Sequence, residues 1–167
     1  MDARGVNLVA TLGTMLGDAV AEAVAARSGM SGAAPAGLAV LLGEPGLSME
    51  TFARTVGLTG SGGVRLADRL ASAGLVERRA GADARGVTLW LTPAGESAAE
   101  HVLQARRDAV IKVTATLDDS EQAALLRIAE KALAAVTEDR AHGERLCRLC
   151  DLDACPQERC PVVLAAP

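Results

Sequence analysis

Aromatic residues are almost missing from this sequence: Phe52 and Trp90 stand alone among 167 residues, and there is no tyrosine. A core must therefore be assembled from Ala, Leu, Val and Gly, and small helix-forming residues dominate the apolar half of the chain. Long hydrophobic runs are also lacking. The stretch Leu8 to Leu16 is short and interrupted by Thr and Gly, well below the roughly 20 residues that span a bilayer, so no transmembrane helix is expected. Ala-x-Ala occurs at Ala19–Ala21 and Ala21–Ala23, but Arg4 is balanced by Asp2 and no continuous apolar core precedes the repeat. A secretory leader is thus not expected, and the reading is a cytoplasmic protein. Nor is there an excess of positive charge. With a net charge of −4 and 23% charged residues, neither wholesale disorder nor a uniformly basic nucleic-acid coat fits, and any DNA-binding charge must be local. Cysteine is absent from the first 146 residues. The length suits one compact domain.

What is present is periodic. Leu8, Leu12, Met15, Leu16, Ala19, Val20, Ala23 and Val24 recur at helical spacing and predict a helix of about 20 residues that stops near Ser28-Gly29. A short helix from Pro35 to Leu42 is broken by Gly43-Glu44-Pro45-Gly46. Ser48 can cap the next helix, whose apolar side is Met49, Phe52, Ala53 and Val56, and Gly57 closes it. A further helix through Val64, Leu66, Leu70 and Ala73 ends at Gly74, so two helices joined by a tight turn make a helix-turn-helix. Period-two alternation then takes over. Leu75 to Arg79 and Val87 to Leu91 read as paired strands around the charged segment Ala80 to Gly86, a wing. Thr92-Pro93 opens a long helix to about Thr114, and Asp118-x-x-Glu121 opens another with an apolar stripe of Leu125, Ile128, Ala132, Leu133 and Val136. The fold class expected is mainly α, an α+β winged helix-turn-helix core flanked by N- and C-terminal dimerisation helices. The expected divisions are 1–30, 31–92, 93–140 and a cysteine-rich tail, 141–167.

This order resembles the MarR family of bacterial winged-helix regulators over roughly residues 5 to 140. Leu58 to Leu70 resembles that family's recognition helix and Gly74 to Arg79 its first wing strand. Asp83-x-Arg85 is similar to the wing-tip pair, and Leu91-Thr92-x-x-Gly95 to the join into the dimerisation helix. The resemblance implies a homodimer on a pseudo-palindromic double-stranded DNA operator, with no membrane partner and with a small-molecule or redox effector. The departure is Gly60, Gly62 and Gly63 at the front of the recognition helix. Interior glycine costs a helix about 0.5–1 kcal/mol relative to alanine, and its bare backbone can approach phosphate closely.

Charge follows the same map. From Gly60 to Thr92 there are five basic and three acidic residues, whereas the rest of the chain has an acidic excess of six. Thr59 and Ser61 can offer hydroxyls to phosphate beside the exposed N–H groups of the helix start, with Gly62 and Gly63 following. Arg65 sits where a side chain reaches the major groove. Asp68 and Arg69 suit ion pairs that support the wing, and Arg69 and Arg79 add positive charge. Asp83 can orient Arg85 toward the minor groove.

The tail carries Cys147-x2-Cys150-x4-Cys155-x4-Cys160, four soft ligands within 14 residues. Three readings fit: a tetrahedral zinc ion, an iron–sulfur cluster favoured by the Cys160-Pro161 ending, and metal-free redox thiols. Zinc is the first expectation, and the segment is expected to order around its centre. His142 reads as an exposed helix-end residue and His101 as structural. Cys-x-x-Cys here lacks the βαβ context of an oxidoreductase, and no catalytic triad, phosphate loop or glycine fingerprint is present. The sequence thus predicts no enzyme but a regulator, a repressor. The alternative is a cysteine-based redox or metal sensor acting through protein interaction.

Overall fold

The computed structural model describes residues 1–81 and 86–166. Helix α1 spans Ala3–Ser28, longer at both ends than its apolar stripe. Asp2 caps it by accepting the Gly5 N–H at 2.7 Å, a start signal that lies outside the hydrophobic pattern. Only Val24 of this helix is buried, and it packs with Val102 and Ala105 of α5 (Pro93–Thr114). By length and composition α1 could cross a membrane, with a hydropathy of 1.4 over its most apolar window. Run length alone argues otherwise, because alanines and aliphatic residues raise the average although glycines and polar residues break them into short runs. In the fold, α1 lies along α5.

Helix α2 (Ala34–Gly43) is buried at every residue from Ala34 to Leu41 and forms the floor of the core. Above it stand α3 (Met49–Thr55) and α4 (Gly60–Ser72), joined through Gly57. Ser48 caps α3 by accepting the Thr51 N–H at 3.1 Å, and Thr59 caps α4 by accepting that of Gly62 at 3.2 Å. Helix α4 buries Gly63, Leu66, Ala67 and Leu70. That spacing leaves Ser61, Arg65, Asp68 and Arg69 exposed. Phe52, Leu38, Leu41, Leu66 and Leu89 are fully enclosed, so one phenylalanine carries much of the work of filling a core otherwise made of aliphatic side chains.

The wing is a three-stranded antiparallel sheet in the order β1-β3-β2, with β1 Leu47–Ser48, β2 Val76–Ala80 and β3 Val87–Leu91. The register runs from Val76 opposite Leu91 to Ala80 opposite Val87. Strand β1 was not anticipated, since two residues carry no period. It is fixed by Gly46, whose positive φ of 81° suits glycine and whose N–H reaches the Leu89 carbonyl at 3.0 Å. A Cβ there would fall 2.6 Å from the Trp90 ring.

At the base of the wing Thr92 does three jobs. Its N–H donates to the Leu75 carbonyl at 3.0 Å, its hydroxyl donates to the Gly74 carbonyl at 2.7 Å, and the same oxygen accepts the Gly95 N–H at 3.0 Å. The end of α4 is thereby tied to the start of α5. Helix α6 (Asp119–Val136) begins with the capping box of Asp118 and Glu121, and none of its residues is buried. The tail is not a detached knuckle. It forms α7 (Arg140–Leu146), a 3-10 turn (Gln157–Arg159) and α8 (Pro161–Ala165), and Leu149 packs on both hydrophobic clusters. The sequence reading missed this docking because the tail lacks a sustained apolar period.

Candidate nucleic-acid interface and four-cysteine cavity

The exposed face of α4 begins with Thr59 and Ser61, whose hydroxyl oxygens lie 3.4 Å apart above the first turn. Thr59 is occupied in capping α4 and still lies on the surface. The three glycines behave differently. Gly60 has open space around its Cα and Gly62 sits close to the Thr59 hydroxyl, but Gly63 is turned inward. A Cβ on Gly63 would lie 2.4 Å from the Ala53 Cβ and 3.0 Å from its Cα, so this glycine lets α3 and α4 touch and is unavailable to phosphate. Its place among the expected DNA contacts is corrected accordingly. Gly63→Ala should cost about 1–3 kcal/mol by overpacking; thermal unfolding checks this.

Arg65 and Arg69 project from the exposed face of α4. Asp68 pairs with Arg78 of β2 at 2.9 Å and so supports the wing as expected. Arg79 donates from Nε to the Glu77 carboxylate at 2.7 Å and lies 4.5 Å over the Trp90 ring. The Trp90 indole N–H is held at 3.0 Å by the Thr88 hydroxyl. These are surface pairs, individually weak, and phosphate can replace the carboxylates as partners. Asp83 and Arg85 lie outside the described residues. His101 is exposed on α5.

Below α2 and α3 opens a cavity of about 370 Å³ into which all four cysteines face, with Val162 of α8 beside them and Val40 and Thr55 walling the other side. Thr55 is buried. Cys147 lies near enough to Cys150 for the two thiols to influence each other's proton, and Cys160 neighbours both Cys147 and Cys155. Sharing one proton drives the pair apart. Cys150 is lowered to about 6 by the hydrogen bond from Cys147, against its burial and with help from the positive charge of Arg106. Cys147 is pushed strongly up by the same bond and by burial, and burial also raises Cys155. Cys160 is buried, the other three half-buried, and all four are free thiols. Among the described residues, no group of three or more His, Cys, Asp or Glu side chains is arranged to hold a metal ion. The four thiols line one space instead. His142 does not line it: its ring faces the Glu138 carboxylate at 3.8 Å. Arg106, 44 residues before Cys150, could not have been connected with the cysteines from sequence, because helical periodicity marks it only as a polar position.

Residues 28–86 match the family model described as MarR family. The chain is similar in structure to RV1404 from Mycobacterium tuberculosis, with a TM-score of 0.71 and 20% identity over 83% of this chain and 97% of that one. It is also similar to the Mycobacterium tuberculosis MarR family protein Rv2887. In complex with DNA that protein matches with TM-score 0.64 and 26% identity over 78% and 98% of the two chains. In complex with salicylic acid the values are 0.61, 28%, 78% and 97%. No curated protein sequence matches the chain.

Proposed function

We propose that this chain is a MarR-family transcriptional regulator rather than an enzyme, and that it binds a pseudo-palindromic operator as a cytoplasmic homodimer and acts as a repressor; the match of residues 28–86 to that family's model supports the reading. The observation that carries the reading is the exposed arginine face of α4 and β2 on an otherwise acidic chain. Two such faces, one helical turn or a multiple apart, would read two half-sites. Dimerisation is supported by the apolar residues left open on the outer helices, among them Leu8 (53% exposed), Leu126 (60%) and Ile128 (65%). Rv2887 is bound to DNA in one structure and to salicylic acid in another. By likeness, a small molecule is the proposed class of effector here.

The four cysteines are proposed to hold zinc, with Cys147, Cys150, Cys155 and Cys160 as thiolate ligands. What supports this is that all four face one cavity, a set of four soft donors of the kind that zinc takes. An iron–sulfur cluster uses the same donors and is separated from zinc by colour. Freshly purified anaerobic protein that is colourless and contains one zinc per chain supports the first, and absorption near about 400 nm the second.

A band shift with the DNA flanking the chain's own gene tests the main reading. Arg65→Ala and Arg85→Ala should each weaken binding by about 1–3 kcal/mol if the side chain contacts a base edge, leaving thermal stability nearly unchanged. Full affinity in both variants would remove the α4 face and wing from the interface.

A further inference from the structure

We propose that the four-cysteine centre works as a clamp within each protomer, holding α3 in place so that occupancy of the centre sets operator affinity. This rests on the reading of the cysteines as metal ligands. The cavity has two walls of different origin. One is the tail, with the cysteines and Val162; the other is the DNA-binding unit itself, with Val40 of α2 and Thr55 of α3. Arg54 of α3 meets Glu144 of α7 at 3.4 Å. Leu152 lies so close to Gly43, the end of α2, that a Cβ there would be 2.6 Å from its Cδ1. Arg107 of α5 meets Asp151 at 2.8 Å. The tail therefore bridges α2, α3 and α5.

Helix α3 needs such a bridge. Seven residues are too few for a helix to hold itself, and its position comes from packing alone. On one side α3 packs against α4 at the Ala53–Gly63 contact, where there is no slack. On the other it packs against α7. Thiolate–metal bonds would fix Cys147 at the end of α7 and Cys160 at the start of α8, and with them the surface that meets α3. Loss of the metal frees both ends of the tail. The displacement passes from α7 to α3 and, through Ala53 and Gly63, to the helix that faces DNA. The exposed Arg54–Glu144 pair contributes little by itself, and the apolar seat of Leu152 carries more.

The test uses the full chain, purified anaerobically, then stripped with a chelator and reloaded with Zn²⁺ alone. Operator affinity, metal content and amide exchange of residues 49–55 are followed together. Stripping should weaken operator binding by about tenfold or more and speed exchange across α3, and Zn²⁺ should restore both. Leu152→Ala keeps every thiol. It should keep its metal and yet show weakened binding and faster exchange in α3. Stripped protein with unchanged affinity and unchanged exchange in α3 would overturn the clamp while leaving the metal site standing. Protein that holds no metal as purified and takes up no Zn²⁺ would instead overturn the metal-site reading, and the clamp with it. Loss of exchange protection in α5 on stripping would also overturn it, since the tail would then be part of the global fold.

Discussion

Gly95→Ala should destabilise the fold by about 3 kcal/mol or more, lowering the melting temperature by roughly 6–12 °C for a chain of this size. The Cβ would stand 1.9 Å from the Leu75 carbonyl oxygen and 2.9 Å from its carbon. That carbonyl cannot retreat, because it accepts the Thr92 N–H at 3.0 Å while the Thr92 hydroxyl holds the neighbouring Gly74 carbonyl at 2.7 Å. The first turn of α5 must shift instead, with the wing base and the end of α4. Glu96→Ala, one residue on and exposed, is the local control and should cost less than about 1 kcal/mol. Calorimetry on the two variants decides. Equal melting temperatures would mean that the join between wing and helix is loose in solution.

Operator affinity should fall linearly with salt concentration on a double logarithmic scale, with a slope of about −0.9 for each phosphate neutralised. Arg65, Arg69, Arg78 and Arg79 are exposed on the α4 and β2 face of each protomer. A dimer that sets six to ten such charges against phosphate would lose about 10³–10⁵ in affinity between 50 and 200 mM salt. Arg65→Ala should flatten the slope by about one unit for every phosphate contact removed. Fluorescence anisotropy across a salt series provides the measurement. A flat response would show that the local arginine surplus faces something other than DNA.

The winged core could be read from the sequence because its period changes cleanly. Leu66 and Leu70 follow helical spacing and are buried, although Val64 and Ala73, read with them, are exposed; Leu89 and its neighbours alternate, and caps at Ser48, Thr92 and Asp118 mark the starts. The arginines of α4 were equally visible, since exposure follows from being off the apolar stripe. Other features depend on three-dimensional closeness between residues far apart in the chain. Nothing in the string Gly60-Ser61-Gly62-Gly63 distinguishes the glycine pressed on Ala53 from those beside solvent. The cysteine spacing suggested a common centre, and the four thiols do face one cavity. That α2 and α3 supply its other wall was hidden, because Leu149, Leu152 and Val162 are isolated apolar residues with no period to announce their burial.

The two walls of that cavity are made at different times. Val40 and Thr55 leave the ribosome about a hundred residues before the cysteines do, and Arg54 waits 90 positions for Glu144. Contacts between nearby segments form first, since closing a short loop costs less entropy than closing a long one. The helix-turn-helix and wing can therefore be assembled while the apolar wall on α2 and α3 is still bare. For that interval a nascent chain carries an uncovered sticky surface beside a surface that binds DNA, and arrival of the tail is the step that covers it.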